Sequence, residues 1–169
     1  MELQAIPIIT SIVAILISGF NFGWNIYKDA IRTPKFKVSI AIKKIIQKGH
    51  PEEGPYVFLE ALNMGPIPNR IGLPFARQGW LQRKVFDRKH GSAMIYPDFS
   101  HWASTKSSTR VEVGDIATFI FPYAAKSFLS ETFSEIGVSD GFGRMHWASR
   151  QELRKAKTKH AAEFKSDGT

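Results

Sequence analysis

Hydrophobic and polar positions alternate on three different periods along this chain, and the first is the longest. Residues Leu3 to Tyr27 contain no acidic or basic side chain. Within that run, the 20 residues from Ala5 to Trp24 would form a helix about 30 Å long, the thickness of a bilayer's hydrocarbon core. Ten of those 20 are Ile, Val, Leu or Phe. Together they contribute about 3 to 6 kcal/mol to insertion, enough to outweigh Thr10, Ser11, Ser18, Asn21 and the two glycines. Trp24 and Tyr27 fall where such a helix leaves the hydrocarbon, as interfacial aromatics do. A secretory signal would need a basic residue ahead of the run and a small-x-small cleavage site. Glu2 is the only charged side chain there, and neither Ser18-Gly19-Phe20 nor Gly19-Phe20-Asn21 makes such a site. Core helices seldom run this long without a charge, so a retained transmembrane helix is expected.

The period changes after Thr33-Pro34. Phe36, Val38, Ile40 and Ile42 alternate with Lys37, Ser39, Ala41 and Lys43, a strand with one buried face. Turn-forming residues 49–55 separate it from a second strand at Tyr56 to Leu62. A Gly/Pro-rich loop, Asn63 to Pro68, leads to extended structure from Arg70 to Phe75. Trp80-Leu81, Val85-Phe86, Met94-Ile95-Tyr96 and Val111 to Val113 suggest short strands, and Ile116 to Phe121 another. Tyr123 to Phe133 reads as a short helix. Ile136-Gly137-Val138 and Met145-His146-Trp147 flank Asp140-Gly141-Phe142-Gly143, whose two glycines would supply the positive φ angles of a tight hairpin. The third period is helical. Ser149 to Ala162 opens with a capping box, Ser149 and Glu152, and places Leu153, Ala156 and His160 on one side. The expected fold is mainly β: a transmembrane helix with its basic start (1–32), a small antiparallel β-sandwich (33–148), and a C-terminal helix with a basic tail (149–169).

Charge sharpens this organisation. The formal net charge is +8, but residues 49–148 carry ten basic and ten acidic side chains and are neutral. Residues 28–48 hold seven basic residues against Asp29, and the tail holds six against three. A cationic collar following an N-terminus without basic side chains places the N-terminus outside and the domain on the cytoplasmic side of a cell's inner (plasma) membrane. Lys28, Arg32, Lys35 and Lys37 would face anionic lipid headgroups. Nucleic acid is a poor match, since the folded middle carries no cationic excess. The absence of cysteine is compatible with a cytoplasmic domain.

Two short segments resemble a known group. Leu62 to Ile71 (Leu-Asn-Met-Gly-Pro-Ile-Pro-Asn-Arg-Ile) is similar to the "N-x-G-x-x-P-x-x-I" corner of small bacterial and prophage single-pass membrane proteins. Gly114-Asp115 and Val138 to Arg144 resemble the later "G-D…V-x-D-x-x-G-(R/K)" segment of the same proteins. The resemblance implies an immunoglobulin-like sandwich behind a membrane helix, and brings no catalytic residues. It covers the helix and about half of the domain; residues 77–108 show no counterpart.

Candidate chemistry is sparse. Asp98, His101 and His90 can be drawn as a metal site, but no paired-ligand spacing recurs and loop histidines explain them better. Ser92 or Ser100 with His101 and Asp98 lacks the nucleophile elbow of a hydrolase. No phosphate-binding or dinucleotide loop is present, no cofactor is expected, and an enzyme is not the expectation. Trp80, Phe86, Tyr96, Phe99 and Trp102 interleave with Arg77, Arg83, Lys84, Arg88 and Lys89. Such a mixture can bind single-stranded nucleic acid, although most of these rings are expected in the core.

The membrane helix itself holds the better site. Pro7, Ser11, Ala14, Ser18, Asn21 and Asn25 recur every three or four residues and form a narrow polar-small stripe. Gly19 and Gly23 mark a second face. The sequence therefore leads to a non-enzymatic, membrane-anchored interaction or scaffold protein. Its helix would associate with itself or another membrane protein, and its domain would meet a cytoplasmic partner. A membrane-tethered nucleic-acid binder is the alternative.

Overall fold

The computed structural model describes residues 5–31, 35–46, 52–78 and 92–164. The chain divides into two units, Met1–Thr33 and Pro34–Thr169. The first is a single helix, α1 (Ala5–Ile31), of 27 residues. Within it Pro7–Lys28 is long and apolar enough to cross a membrane. Pro7 lies in the first turn, where its missing N–H breaks no intrahelical bond.

The second unit is built from two antiparallel sheets. β1 (Phe36–Ile45), β2 (Glu53–Asn63) and β6 (Ile116–Pro122) form a three-stranded sheet in the order β1-β2-β6. β3 (Asn69–Arg77), β4 (Ser92–Met94), β5 (Arg110–Val111), β7 (Glu135–Asp140) and β8 (Met145–Trp147) make a five-stranded sheet around β3 and β7. The alternation in β1 is what buries Phe36, Val38 and Ile40 together with Val57, Leu59 and Ala61 of β2 and Phe119 and Phe121 of β6. Ile71, Ala76, Ile136 and Val138 join them from the second sheet. A terminal helix, α2 (Arg150–Phe164), adds Leu153 and Ala156 to this core and buries His160, the side predicted from its spacing. Pro74 faces Val138 of β7, just past the register shift that follows Ile71, and its carbonyl accepts from Ile95 N–H on the other side. There β5 has ended and β4 has not begun, so its missing N–H interrupts no ladder.

Several local expectations are corrected. Residues 123–133 form no α-helix, only a 3₁₀ turn at Phe128–Ser130. The segment is instead tied to α2 by side chains that bond its carbonyls: Lys157 Nζ donates to Glu131 O and Phe133 O, and His160 Nε2 to Ala124 O. The capping box is replaced by a tertiary contact, in which Glu152 Oε2 accepts the edge-strand N–H of Ile40 at 3.2 Å. In the β7–β8 hairpin only Gly143 has positive φ, 74°. Gly141 serves close approach instead, because a Cβ there would lie 3.0 Å from Asn69 Oδ1. Strand structure stops at Met94 and at Val111, leaving Ile95-Tyr96 and Val113 outside it. The pairs Trp80-Leu81 and Val85-Phe86 fall outside the described residues.

Candidate functional site

The stripe residues Ser11, Ala14, Ser18, Asn21 and Asn25 are all exposed on α1, as are its large apolar side chains, Ile15 and Phe20 each by 70%. Apolar exposure over every face except the polar-small stripe is the pattern of a helix that needs a lipid or protein surround. Ser11 Oγ donates to Pro7 O at 2.8 Å, so its hydroxyl proton is already used within the helix. Gly19 and Gly23 have open space where a Cβ would stand. Phe20, Trp24 and Tyr27 stack in sequence, and the Lys28 ammonium lies 5.5 Å from the Trp24 ring centroid. This aromatic-to-cation ladder ends the apolar span. Of the collar, Lys35 and Lys37 are exposed and Arg32 lies outside the described residues.

In the β domain, polar clusters are closed on themselves. Asp140 Oδ1 accepts from the N–H groups of Phe142 (2.8 Å) and Arg144 (2.9 Å), and His146 Nε2 donates to Oδ2 at 3.0 Å. Burial pushes the Asp140 carboxyl up, but these donors outweigh it and hold the group below the usual aspartate range. His146 Nδ1 accepts from Phe36 N–H at 3.4 Å, so both ring nitrogens of this Asp–His pair serve the hairpin and the β1 edge. Ser127 and His160 also meet, at 3.1 Å. The Ala124 carbonyl, 2.8 Å from the same Nε2, can only accept; the proton therefore sits on Nε2, and Ser127 faces no base. Glu135 is clamped by Arg77 and by Arg150, whose Nε lies 3.1 Å from Oε1. The Arg77 guanidinium in turn stacks 3.9 Å from the Trp147 ring centroid.

The Asp98–His101 loop is also bonded within itself, except that His101 Nε2 is buried without a hydrogen-bond partner, 3.8 Å from Glu53. Ser100 donates to Asp98 through both its hydroxyl and its N–H, at 2.5 and 2.9 Å, and these bonds lower the carboxyl's pKa. His101 Nδ1 accepts from Ala103 N–H, and its ring lies edge-on to Tyr56. Among the described residues no group of three His, Asp or Glu side chains is placed to hold a metal; His90 is outside them. The expectation that most middle aromatics are core fails for Tyr96 and Trp102, each 70% exposed, while Phe99 packs partly buried against the core. The 98–105 loop bonds along the free edge of β6, leaving these two rings outside. Trp80, Phe86 and their neighbouring cations Arg83, Lys84, Arg88 and Lys89 lie outside the described residues.

The structure brings together the two motif segments that the sequence presents separately. Asn63 N–H donates to Asp115 O and Gly114 N–H to Asn63 O, while Gly141 packs on Asn69 and Arg70. Beside this junction lies a pocket of about 310 Å³ lined by Pro68, Asn69, Arg70, Arg110, Gly141 and Phe142. Sequence reasoning missed it, since its arginines are 40 positions apart and become neighbours only through the β3–β5 register. An exposed Phe followed by Gly-Arg at a hairpin tip was the visible signal. No protein-family model, curated protein or solved structure matches the chain.

Proposed function

We propose that the chain is a non-enzymatic single-pass protein of a bacterial inner (plasma) membrane, with its N-terminus outside and its β domain in the cytoplasm as an interaction or scaffold module. The observation that carries this reading is α1: a helix with no charged side chain from Ala5 to Tyr27 and large apolar side chains exposed on every face but the polar-small stripe, ended by an aromatic-to-cation ladder and followed by basic residues. Exposed in water, such a surface would be costly; in a bilayer it is at home. The positive-inside rule supports the orientation. Asp140 with His146, Ser127 with His160, and Glu135 with its two arginines are each consumed by structure, which favours a binding role over chemistry. The sandwich is read as immunoglobulin-like, as the resemblance to prophage membrane proteins implies. The stripe Ser11, Ala14, Ser18, Asn21 and Asn25, with Gly19 and Gly23 on a second face, is the helix surface offered to a second copy or another membrane protein.

Membranes carrying the full chain, washed with alkaline carbonate, test the anchor. The chain should stay in the pellet, and its release to the supernatant would remove the reading. Crosslinking in intact cells with identification of co-purifying proteins then tests the module. The exposed Tyr96 and Trp102 rings favour one second reading, stacking of single-stranded nucleic acid; salt-sensitive oligonucleotide binding by the full chain would support it.

A further inference from the structure

The strand registers gather several otherwise separate segments at one end of the β domain. Phe36, the first residue of β1, faces Asn63, and Leu62 faces Ile116. Asn69 and Arg70 open β3 opposite Val111 and Arg110, and Ile71 faces Asp140 just before the hairpin tip. This end therefore holds Lys35, the 64–68 loop, the 112–115 turn and residues 141–144. Four large apolar side chains are exposed on it: Met64, Val113, Ile116 and Phe142, the last by 65%. Lys35, Lys37, Arg70, Arg110 and Arg144 surround them, against the exposed acids Glu112 and Asp115; Asp140 is buried and committed to the hairpin.

Apolar exposure alone does not single out this end, because Ile46, Tyr96 and Trp102 are exposed toward the other. Among the described residues, charge does: at the far end Lys43 and Lys44 are ion-paired to Glu60 and Glu52, and Glu53 lies 3.8 Å from His101. Within the cationic end, Arg70 and Arg110 are direct register partners, like charges facing across an antiparallel pair. That arrangement is unfavourable unless an anion offsets it. Arg110 Nε reaches Glu112 at 2.8 Å in an exposed pair, whereas the Arg70 guanidinium meets no acid among the described residues. The pocket they share also includes Asn69, whose buried Nδ2 has no acceptor. Finally, only residues 32–35 separate Ile31 of α1 from Phe36, a span of at most about 18 Å when fully extended.

We propose that this end of the domain docks on an anionic phospholipid surface. A headgroup phosphate is held by Arg70 and Arg110, and Met64, Val113, Ile116 and Phe142 sit in the interfacial layer. The proposal rests on α1 spanning the membrane, and deepens that reading by naming the docking face.

The chain has no cysteine, so single labels can be placed cleanly. Full-length Val13→Cys, Ile116→Cys, Phe142→Cys, Ile46→Cys and Trp102→Cys variants carry a fluorophore. They are reconstituted in phosphatidylcholine vesicles with or without phosphatidylglycerol, and quenched by nitroxide lipids. A label at 13 should be quenched by acyl-chain nitroxides in both; its failure would remove the spanning reading itself. With phosphatidylglycerol present, labels at 116 and 142 should be quenched by headgroup nitroxides and those at 46 and 102 should not. Arg70→Gln combined with Arg110→Gln should lower the docked-to-undocked ratio by about thirtyfold, while Arg154→Gln should leave it unchanged. A quenched label at 13 with no difference between 142 and 102 would overturn the docking proposal alone. Equal quenching of the 142 label with and without phosphatidylglycerol, with saturable binding of inorganic phosphate that Arg70→Gln abolishes, would overturn the lipid assignment and give the pocket to a soluble anion.

Discussion

Replacing Asn63 tests whether the corner that joins the two sheets depends on one buried amide. The residue is 1% exposed, and its side chain makes three hydrogen bonds, each at 3.0 Å. Nδ2 donates to Ile67 O and Val111 O, and Oδ1 accepts from Gly65 N–H. Asn63→Ala leaves two acceptors and one donor unserved. At about 1 kcal/mol for each, the loss is about 3 kcal/mol, or a fall in melting temperature of about 10 °C for a domain of this size. Asn63→Asp is the sharper probe, because it preserves shape and the acceptor for Gly65 while turning a carboxylate oxygen toward two carbonyl oxygens. At neutral pH it should be less stable than the alanine variant. Burial and the facing carbonyls raise this carboxyl's pKa in the folded state. Its penalty is therefore present above that raised value and relieved as pH falls toward the unfolded one, where a protonated acid can donate to one carbonyl. Urea unfolding of the full chain in detergent micelles, followed by near-ultraviolet circular dichroism, measures each variant against wild type at neutral pH and at about pH 4. An aspartate variant as stable as the alanine variant at neutral pH, or a difference that ignores pH, would refute the assignment of these bonds.

Other expectations follow from the same contacts. Burial pushes the Glu135 carboxyl up, but hydrogen bonds and charge from Arg150 and Arg77 hold it below the usual glutamate range. Its contribution is therefore present above the unfolded pKa and lost as pH falls through the folded one. Glu135→Gln should cost about 1 to 3 kcal/mol at neutral pH, with the gap to wild type closing in acid; a gap constant with pH in melting experiments would contradict this. At Gly137 an added Cβ would lie 2.2 Å from His146 O and 2.9 Å from Trp147 Cε3. Gly137→Ala should lower stability by about 1 to 3 kcal/mol and change the Trp147 emission that Arg77 stacking shapes, and an unaltered spectrum would argue against that geometry. In the membrane helix, Ser18→Leu with Asn21→Leu should weaken association by about 1 to 3 kcal/mol in a membrane two-hybrid assay. A full signal would rule out the stripe as the interface.

Period carried most of what could be read in advance. The alternation from Phe36 to Lys43 announces one buried face, and the strand that forms extends it only to Ile45. The spacing of Leu153, Ala156 and His160 likewise names the buried side of α2. Failures cluster where a distant side chain intervenes. Residues 123–133 read as a helix from composition, but the segment is tied to α2 by Lys157 and His160, which bond Phe133 O and Ala124 O. Ser149 and Glu152 spell a local cap, yet Glu152 bonds to strand β1, 112 positions away in sequence. The cationic pocket was illegible for the same reason: the β3–β5 register, not sequence proximity, sets Arg70 against Arg110. The Asn63 corner was readable as a turn, while the reason for an asparagine there, three bonds to three separate backbone sites, required the fold.

The central claim is that α1 crosses a membrane and leaves the β domain in the cytoplasm. Paired reporters fused after Thr169, one active only in the cytoplasm and one only outside it, test this most directly. The account predicts signal from the cytoplasmic reporter alone, with the fusion recovered in the membrane fraction. Activity of the external reporter alone would contradict it.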